Sequence, residues 1–162
     1  PGPAPEGRVR HLLGEFGLSL GLLATAAGRP VDTWRGTGEV AVTTRAVDVA
    51  AGHLSAGTVG GQRTTVAGLS QGEPVVSFTA CWYLTEHLDP MWDLGRTGWR
   101  LRVDGEAPFH LDLAFPVDPA ELAAWTPAYT ANRPINAIPY VRAARPGILS
   151  TLDLPIVTPA GP

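Results

Sequence analysis

From Val76 onward the even positions Val76, Phe78, Ala80, Trp82 and Leu84 are apolar, while the odd positions Ser77, Thr79, Cys81, Tyr83 and Thr85 are mostly small or polar. A period of two marks a strand with one buried face. Together with residues 57–69 and the Ser70-Gln71-Gly72-Glu73 turn, this strand reads as one long β-hairpin over 57–87. With Gln71 and Gly72 at the centre of the turn, Ser70 faces Glu73, Gly61 falls opposite Trp82 and Gly60 opposite Tyr83. Bare backbone would then lie beneath two large rings, which gives the glycines a packing reason. The same count gathers Thr58, Gln62, Thr64, Thr79, Cys81, Tyr83, Thr85 and His87 into a hydrogen-bonding wall on the face opposite the apolar one. The wall is conditional on the register, because a one-residue slip turns every side chain over.

The rest of the chain can be placed against that hairpin. Residues 7–27 form a helix, with Val9, Leu12, Leu13, Phe16, Leu20 and Leu23 at helical spacing and Gly28 ending it. Leu18 and Leu22 fall off that stripe, so the helix wants a second neighbour besides the sheet, either another subunit or a further domain. Residues 30–49 supply strand material, and Asp89-Pro90 marks a loop that Trp92 tucks down. Trp99, Leu101 and Val103, then Phe109, Leu111, Leu113 and Phe115, alternate with polar residues on either side of Asp104-Gly105, a second hairpin. Asp118 followed by Pro119 predicts a short helix over 118–125. A second helical piece covers about 134–144, kinked or restarted at Pro139, and an extended tail follows. Strands buried on one face only belong to antiparallel sheets. The expected fold class is α+β: a mostly antiparallel mixed sheet with a long central hairpin, packed on one face by helices.

Composition narrows the chemistry. At 162 residues and 44% hydrophobic content the chain makes one domain over 1–162, with linker-like ends at 1–6 and 158–162. A net charge of -3 without a basic run implies neither nucleic acid nor an anionic membrane as partner, and the apolar run over 16–27 is too short to span a bilayer. All 12 basic residues are Arg, which excludes a Schiff-base or phosphate-loop lysine from this chain. The lone Cys81 favours a reducing cytoplasm.

Two motifs match in letters only. Gly68-Leu69-Ser70-Gln71-Gly72 fits the nucleophile elbow, but a strand follows it where the elbow needs a helix. Gly36-Thr37-Gly38-Glu39-Val40-Ala41 fits a dinucleotide fingerprint, yet the residues after it are strand-like. The four histidines show no ligand spacing, so no metal is expected. In the hairpin register His53 and His87 approach one another and become candidate site residues.

The block Asn132 to Ile148, containing Asn136-Ala137-Ile138-Pro139, followed by Asp153-Leu154-Pro155, resembles the C-terminal domain of the 2,4-diaminopentanoate dehydrogenase and native amine dehydrogenase group, related to dihydrodipicolinate reductase. Supporting segments are Ala56-Gly57-Thr58-Val59 with Gln62-Arg63, Trp82-Tyr83, Asp89-Pro90-Met91-Trp92 and Thr97-Gly98-Trp99-Arg100. The resemblance implies a mixed α+β domain that, in full enzymes, follows an NAD(P)-binding Rossmann domain, supplies part of the substrate pocket and pairs subunits. Those enzymes interconvert amines and ketones by hydride transfer. The nucleotide-binding half is missing here, so the expectation is an oxidoreductase domain that is inactive alone and binds no cofactor by itself. Its expected partners are an amine or ketone, a second copy of the chain and a Rossmann domain. Thr58, Gln62, Thr79, Tyr83 and Thr85 are the expected substrate wall, with Tyr83 or Trp82 fixing an apolar portion of the substrate, and Arg133 and Asn136 either line the same cleft or the cofactor edge or serve as helix-capping and inter-subunit contacts. The rival expectations are a free-standing small-molecule-binding module without redox chemistry and a purely structural dimerisation domain.

Overall fold

The computed structural model describes residues 2–3, 6–50, 52–94, 97–118 and 121–159. Its contacts divide the chain into two compact units, Pro1–Leu94 and Gly95–Pro162.

The first unit is a helix on a sheet. Helix α1 (Glu6–Ala26) packs against a five-stranded sheet whose main path runs β1 (Gly2–Pro3), β2 (Thr33–Thr43), β5 (Val59–Ser70), β6 (Glu73–Tyr83), with β7 (Leu88–Asp89) also paired to β2. Strands β3 (Val47–Val49) and β4 (Gly52–Leu54) form a separate ribbon. Every pairing among the described residues is antiparallel, as one-sided burial requires. Leu12 and Leu20 of α1 are buried on Val66 of β5, flanked by Val9, Leu13, Phe16, Trp34, Val76, Phe78 and Ala80. The Phe16 and Phe78 ring centroids lie 4.6 Å apart. Gly36 makes the close approach possible, because a Cβ there would overlap Cγ1 of Val9.

Gly28 ends α1 by adopting φ +72°. Its amide donates to Thr25 O at 2.9 Å and that of Arg29 to Ala24 O at 2.8 Å. This paired closure is the Schellman motif, which satisfies two carbonyls the helix leaves over. Leu18 stands 78% exposed on the outer side of the helix.

The central hairpin has the expected turn but not the expected register. Gln71 and Gly72 take φ of 54° and 87°, and Ser70 faces Glu73. Leu69 faces Pro74, but Gly68 then faces Val76, leaving Val75 as an extra residue on β6. Pro74 has no N–H to donate to a ladder, and prolines in sheets are confined to edges and bulges. The slip carries through the strand, so Gly61 pairs with Tyr83 and Gln62 with Trp82. A second irregularity passes over Gly60 between the Ala41–Gly61 and Val42–Val59 pairs. The expected pairs Gly61–Trp82 and Gly60–Tyr83 are thus corrected by one residue.

The second unit holds the hairpin β8 (Gly98–Val103) and β9 (Phe109–Ala114), helix α2 (Leu122–Ala143) and a 3-10 turn at Thr151–Asp153. The two helical pieces expected here are one continuous helix with Pro127, Pro134 and Pro139 inside it. The φ that proline fixes is a helical one, so its ring removes a hydrogen bond without forcing the chain out of the helix. The helix also starts later than expected. Glu121 precedes it, with no side-chain cap, and its amide donates to the Asp118 backbone carbonyl at 2.9 Å. Pro119 and Ala120 of the expected helix start lie outside the described residues. The tail is tied down by the Tyr140 to Thr158 hydroxyl contact at 2.8 Å and by the reciprocal bonds between Ser150 and Asp153 that cap the 3-10 turn. Those bonds to Ser150 hold the Asp153 carboxyl below its ordinary value.

Two stability changes follow from the first unit. Gly36→Ala pushes a methyl into β-branched Val9 and should destabilise the domain by about 1–3 kcal/mol in chemical denaturation, the usual cost of overpacking. Asp32 Oδ2 accepts the Gln71 amide at 2.7 Å, and this bond, followed by the Thr33 hydroxyl, lowers its pKa below 3.8. A depressed carboxyl contributes stability that is present above its unfolded value and lost as pH falls through the folded one. Asp32→Asn should therefore lower the melting temperature at neutral pH and bring it closer to the parent's below pH 3.8, measured as melting temperature against pH.

Candidate functional site

The helix covers one face of the sheet, and the opposite face carries the chemistry. On that open face the strands align in rungs set by the observed register. Thr37, Thr65 and Thr79 form one rung, and Glu39, Arg63 and Cys81 the next. Ala41, Gly61 and Tyr83 form the third. The Thr65 and Thr79 hydroxyls are 2.7 Å apart. Arg63 donates through Nε, at 2.5 Å, and through Nη2 to Oε1 of Glu39. Thr37, Gly38, Glu39, Arg63 and Thr65 line an open cavity of about 320 Å³.

The third rung is roofed. Leu88, 4% exposed, and Trp92, 7% exposed, cluster with Ala41, and Tyr83 and Leu94 pack at their side. Gly61 provides the floor: a Cβ there would come within 2.8 Å of Leu88 and 2.9 Å of Trp92. The ring over the glycine is thus Trp92, brought in by the loop after β7, and not the cross-strand Trp82. The Arg63 guanidinium lies 5.0 Å from the Trp92 ring centroid, inside cation–π range. Held by a carboxylate on one side and an aromatic face on the other, Arg63 is a fixed donor at the cavity edge. Trp92 Nε1 is buried with no hydrogen-bond partner among the described residues. No cluster of three His, Cys, Asp or Glu side chains that could hold a metal occurs among the described residues.

Over residues 5–160 the chain matches the family model of the 2,4-diaminopentanoate dehydrogenase C-terminal domain. The chain belongs to that family. Among solved structures this C-terminal domain is similar to an amine dehydrogenase from Mycobacterium smegmatis, with 22% identity and a TM-score of 0.56. The match covers 90% of this chain and 39% of the other, and at that identity it carries the fold alone. The domain thus spans well under half the length of the chain it resembles. No curated protein matches it.

The family's domain brings together only part of the expected wall. Thr79 and Tyr83 share the open face. Gln62 and Trp82 pair with each other on the helix side, where Gln62 donates to the Thr64 hydroxyl at 3.3 Å and Trp82 is 47% exposed. The bulge at Val75 is the cause, since it reverses the facing of β5 relative to β6. Thr58 sits in the loop before β5, its carbonyl accepting from Thr43. Thr85 lies beyond the end of β6, its hydroxyl accepting the His87 amide at 3.2 Å. Arg133 and Asn136 are on α2, in the second unit. His53 contacts Asp48 at 2.7 Å and His87 contacts Arg45, so each histidine has its own neighbour. Thr37, Glu39, Arg63, Thr65 and Trp92 were not among the expected residues. The parity of Val66 points to four of them, since an apolar even position on β5 leaves the odd ones, and their partners on β2, to the open face.

The roof is testable by truncation. Trp92→Ala removes a buried indole from above Gly61 and should cost about 3–5 kcal/mol of stability in urea unfolding. Trp82→Ala, on a half-exposed ring, should cost markedly less.

Proposed function

We propose that this domain forms the substrate wall of an NAD(P)-dependent amine dehydrogenase-like oxidoreductase and pairs its subunits, while a nucleotide-binding domain supplies the hydride chemistry. The observation that carries the reading is the open-face cavity, where a carboxylate, a guanidinium and a set of threonine hydroxyls meet on a rigid sheet beside an aromatic roof. Pockets of this kind orient small ligands through a few fixed polar groups. A substrate bearing both ammonium and carboxylate groups, as 2,4-diaminopentanoate does, finds an acceptor in Glu39 and a donor in Arg63. The Thr37, Thr65 and Thr79 hydroxyls can donate or accept along the same line. Tyr83 and Trp92 supply an apolar boundary at one end.

The Gly36 to Ala41 segment does not fit a dinucleotide fingerprint. Gly36 to Ala41 lie inside β2, so no helix begins on those glycines to offer its N-terminal amides to a pyrophosphate. The domain's part in the reaction is to bind, orient and exclude water. A single Cys81 in the chain supports placing this work in a reducing cytoplasm. No helix of the described residues is long and apolar enough to cross a membrane.

The isolated chain should oxidise no NAD(P)H with a ketone and ammonia, and turnover by it would overturn the division of labour. In two-dimensional NMR, 2,4-diaminopentanoate should shift the amides of residues 37–39, 63–65 and 79, and Arg63→Ala should weaken that response at least tenfold. Unmoved amides on the open face would reject the pocket.

A further inference from the structure

Packing alone holds Trp92 in place. Its Cζ3 edge rests where Gly61 has no Cβ, Leu88 packs beside it, and Nε1 makes no hydrogen bond to any described residue. The ring faces a charge, the Arg63 guanidinium at 5.0 Å from its centroid. Arg63 in turn spends only part of its donor set on Glu39. Nε and Nη2, the two donors of one edge, both go to Oε1, and a guanidinium carries five N–H groups in a flat fork, so the Nη1 pair and the outer Nη2 hydrogen are left over. Neither these three nor Oε2 of Glu39 has a partner among the described residues. The pair is partly exposed, and ion pairs of that kind gain little because two long side chains must give up their rotamers. A buried ring against the guanidinium removes part of that freedom.

We propose that Trp92 is a positioning residue for the substrate site: by holding Arg63 from one side while Glu39 holds one edge, it fixes the remaining edge of the guanidinium for a ligand carboxylate and so sets the site's preference for ligands that carry one. This rests on the open-face cavity of the proposed function and adds what orients its donor. A guanidinium pairs with a carboxylate through two parallel N–H bonds, which requires the two planes to line up. If Arg63 swivelled about Glu39, the free edge would be correctly placed for only a fraction of the time, and affinity falls by that fraction. A ligand without a carboxylate makes no use of the edge. Loss of the ring therefore changes the ratio of the two affinities and not merely their size.

The arginine has a readout of its own that needs no ligand. In the parent 162-residue chain the Arg63 side chain should show nuclear Overhauser contacts to the Trp92 ring, and its Nε–H should give a resolved, slowly exchanging NMR signal, identified by its loss in Arg63→Ala. Trp92→Met, which keeps an apolar roof, should lose that signal to exchange. Trp92→Phe keeps a ring face and gives up no hydrogen bond, so it should retain the signal. Titration with 2,4-diaminopentanoate and with 1,3-diaminobutane, the same skeleton without its carboxylate, should favour the first about tenfold in the parent. Trp92→Met should cut that ratio about threefold, and Trp92→Phe should preserve it. The amide signals of Leu12 and Leu20, on the helix side of the sheet, should stay in place in both variants as a check of the fold. Absence of the ring contacts in the parent, a measurement that requires no variant to fold, would overturn the proposal, as would an Nε–H signal that survives Trp92→Met. A ratio that Trp92→Met leaves unchanged would overturn the role in specificity. Binding of neither ligand by the parent rejects the cavity itself, a failure that the ligand-free signal of Arg63 tells apart from a failure of Trp92 to position it.

Discussion

A strand pair that gains one residue turns over every side chain beyond it, and β6 gains Val75 next to a proline that has no amide to give. That offset decides what the two faces of the sheet are for. It puts Val66 of β5 on the same side as Phe78 of β6, so both meet α1. It sends Arg63 and Thr65 to the other side, level with Cys81 and Thr79. Without the extra residue the helix would press on arginine and threonine while valine faced water. Burying an aliphatic side chain is worth about 1.5–3 kcal/mol, and an unpaired buried charge costs more than that, so the bulged register is strongly preferred.

The same sheet allows close contact on both faces by omitting side chains. Gly36 admits Val9 from the helix side, and Gly61 admits Leu88 and Trp92 from the open side. Each glycine weakens its strand by roughly 0.5–1 kcal/mol relative to alanine. A buried indole and a helix seated on the backbone more than offset that loss. Trp92 in turn helps fix Arg63, whose guanidinium it faces, so packing on the third rung sets the position of the charged group on the second.

Much of this was legible before the structure. Period-two alternation located β6, β8 and β9, and the spacing of Leu12, Phe16 and Leu20 located α1 to within a residue at each end. Gln71-Gly72 was readable as a turn because few other pairs accept positive φ at both positions. The tuck of Trp92 was also readable, though not the glycine beneath it. The candidate site failed at a single step, where a correct turn was extended into a ladder without allowing Pro74 a bulge. Parity within β5 held the correction, since a wall containing Gln62 and Thr64 must also contain Val66. Helix α2 reads in the sequence as two pieces, the second kinked or restarted at Pro139, whereas the φ that proline fixes suits a helix and only its missing bond does not.

That missing bond recurs three times along the 22 residues of α2. At about 3 kcal/mol per proline relative to alanine, the segment carries a handicap of roughly 9 kcal/mol, more than local propensity alone can recover. Its order must come from what lies beside it, as in the Phe115 and Tyr129 rings 4.7 Å apart. A segment so dependent on its neighbours is a natural reporter. Its helical content is set by its surroundings more than by its own sequence, so loosening those contacts should be felt first in α2.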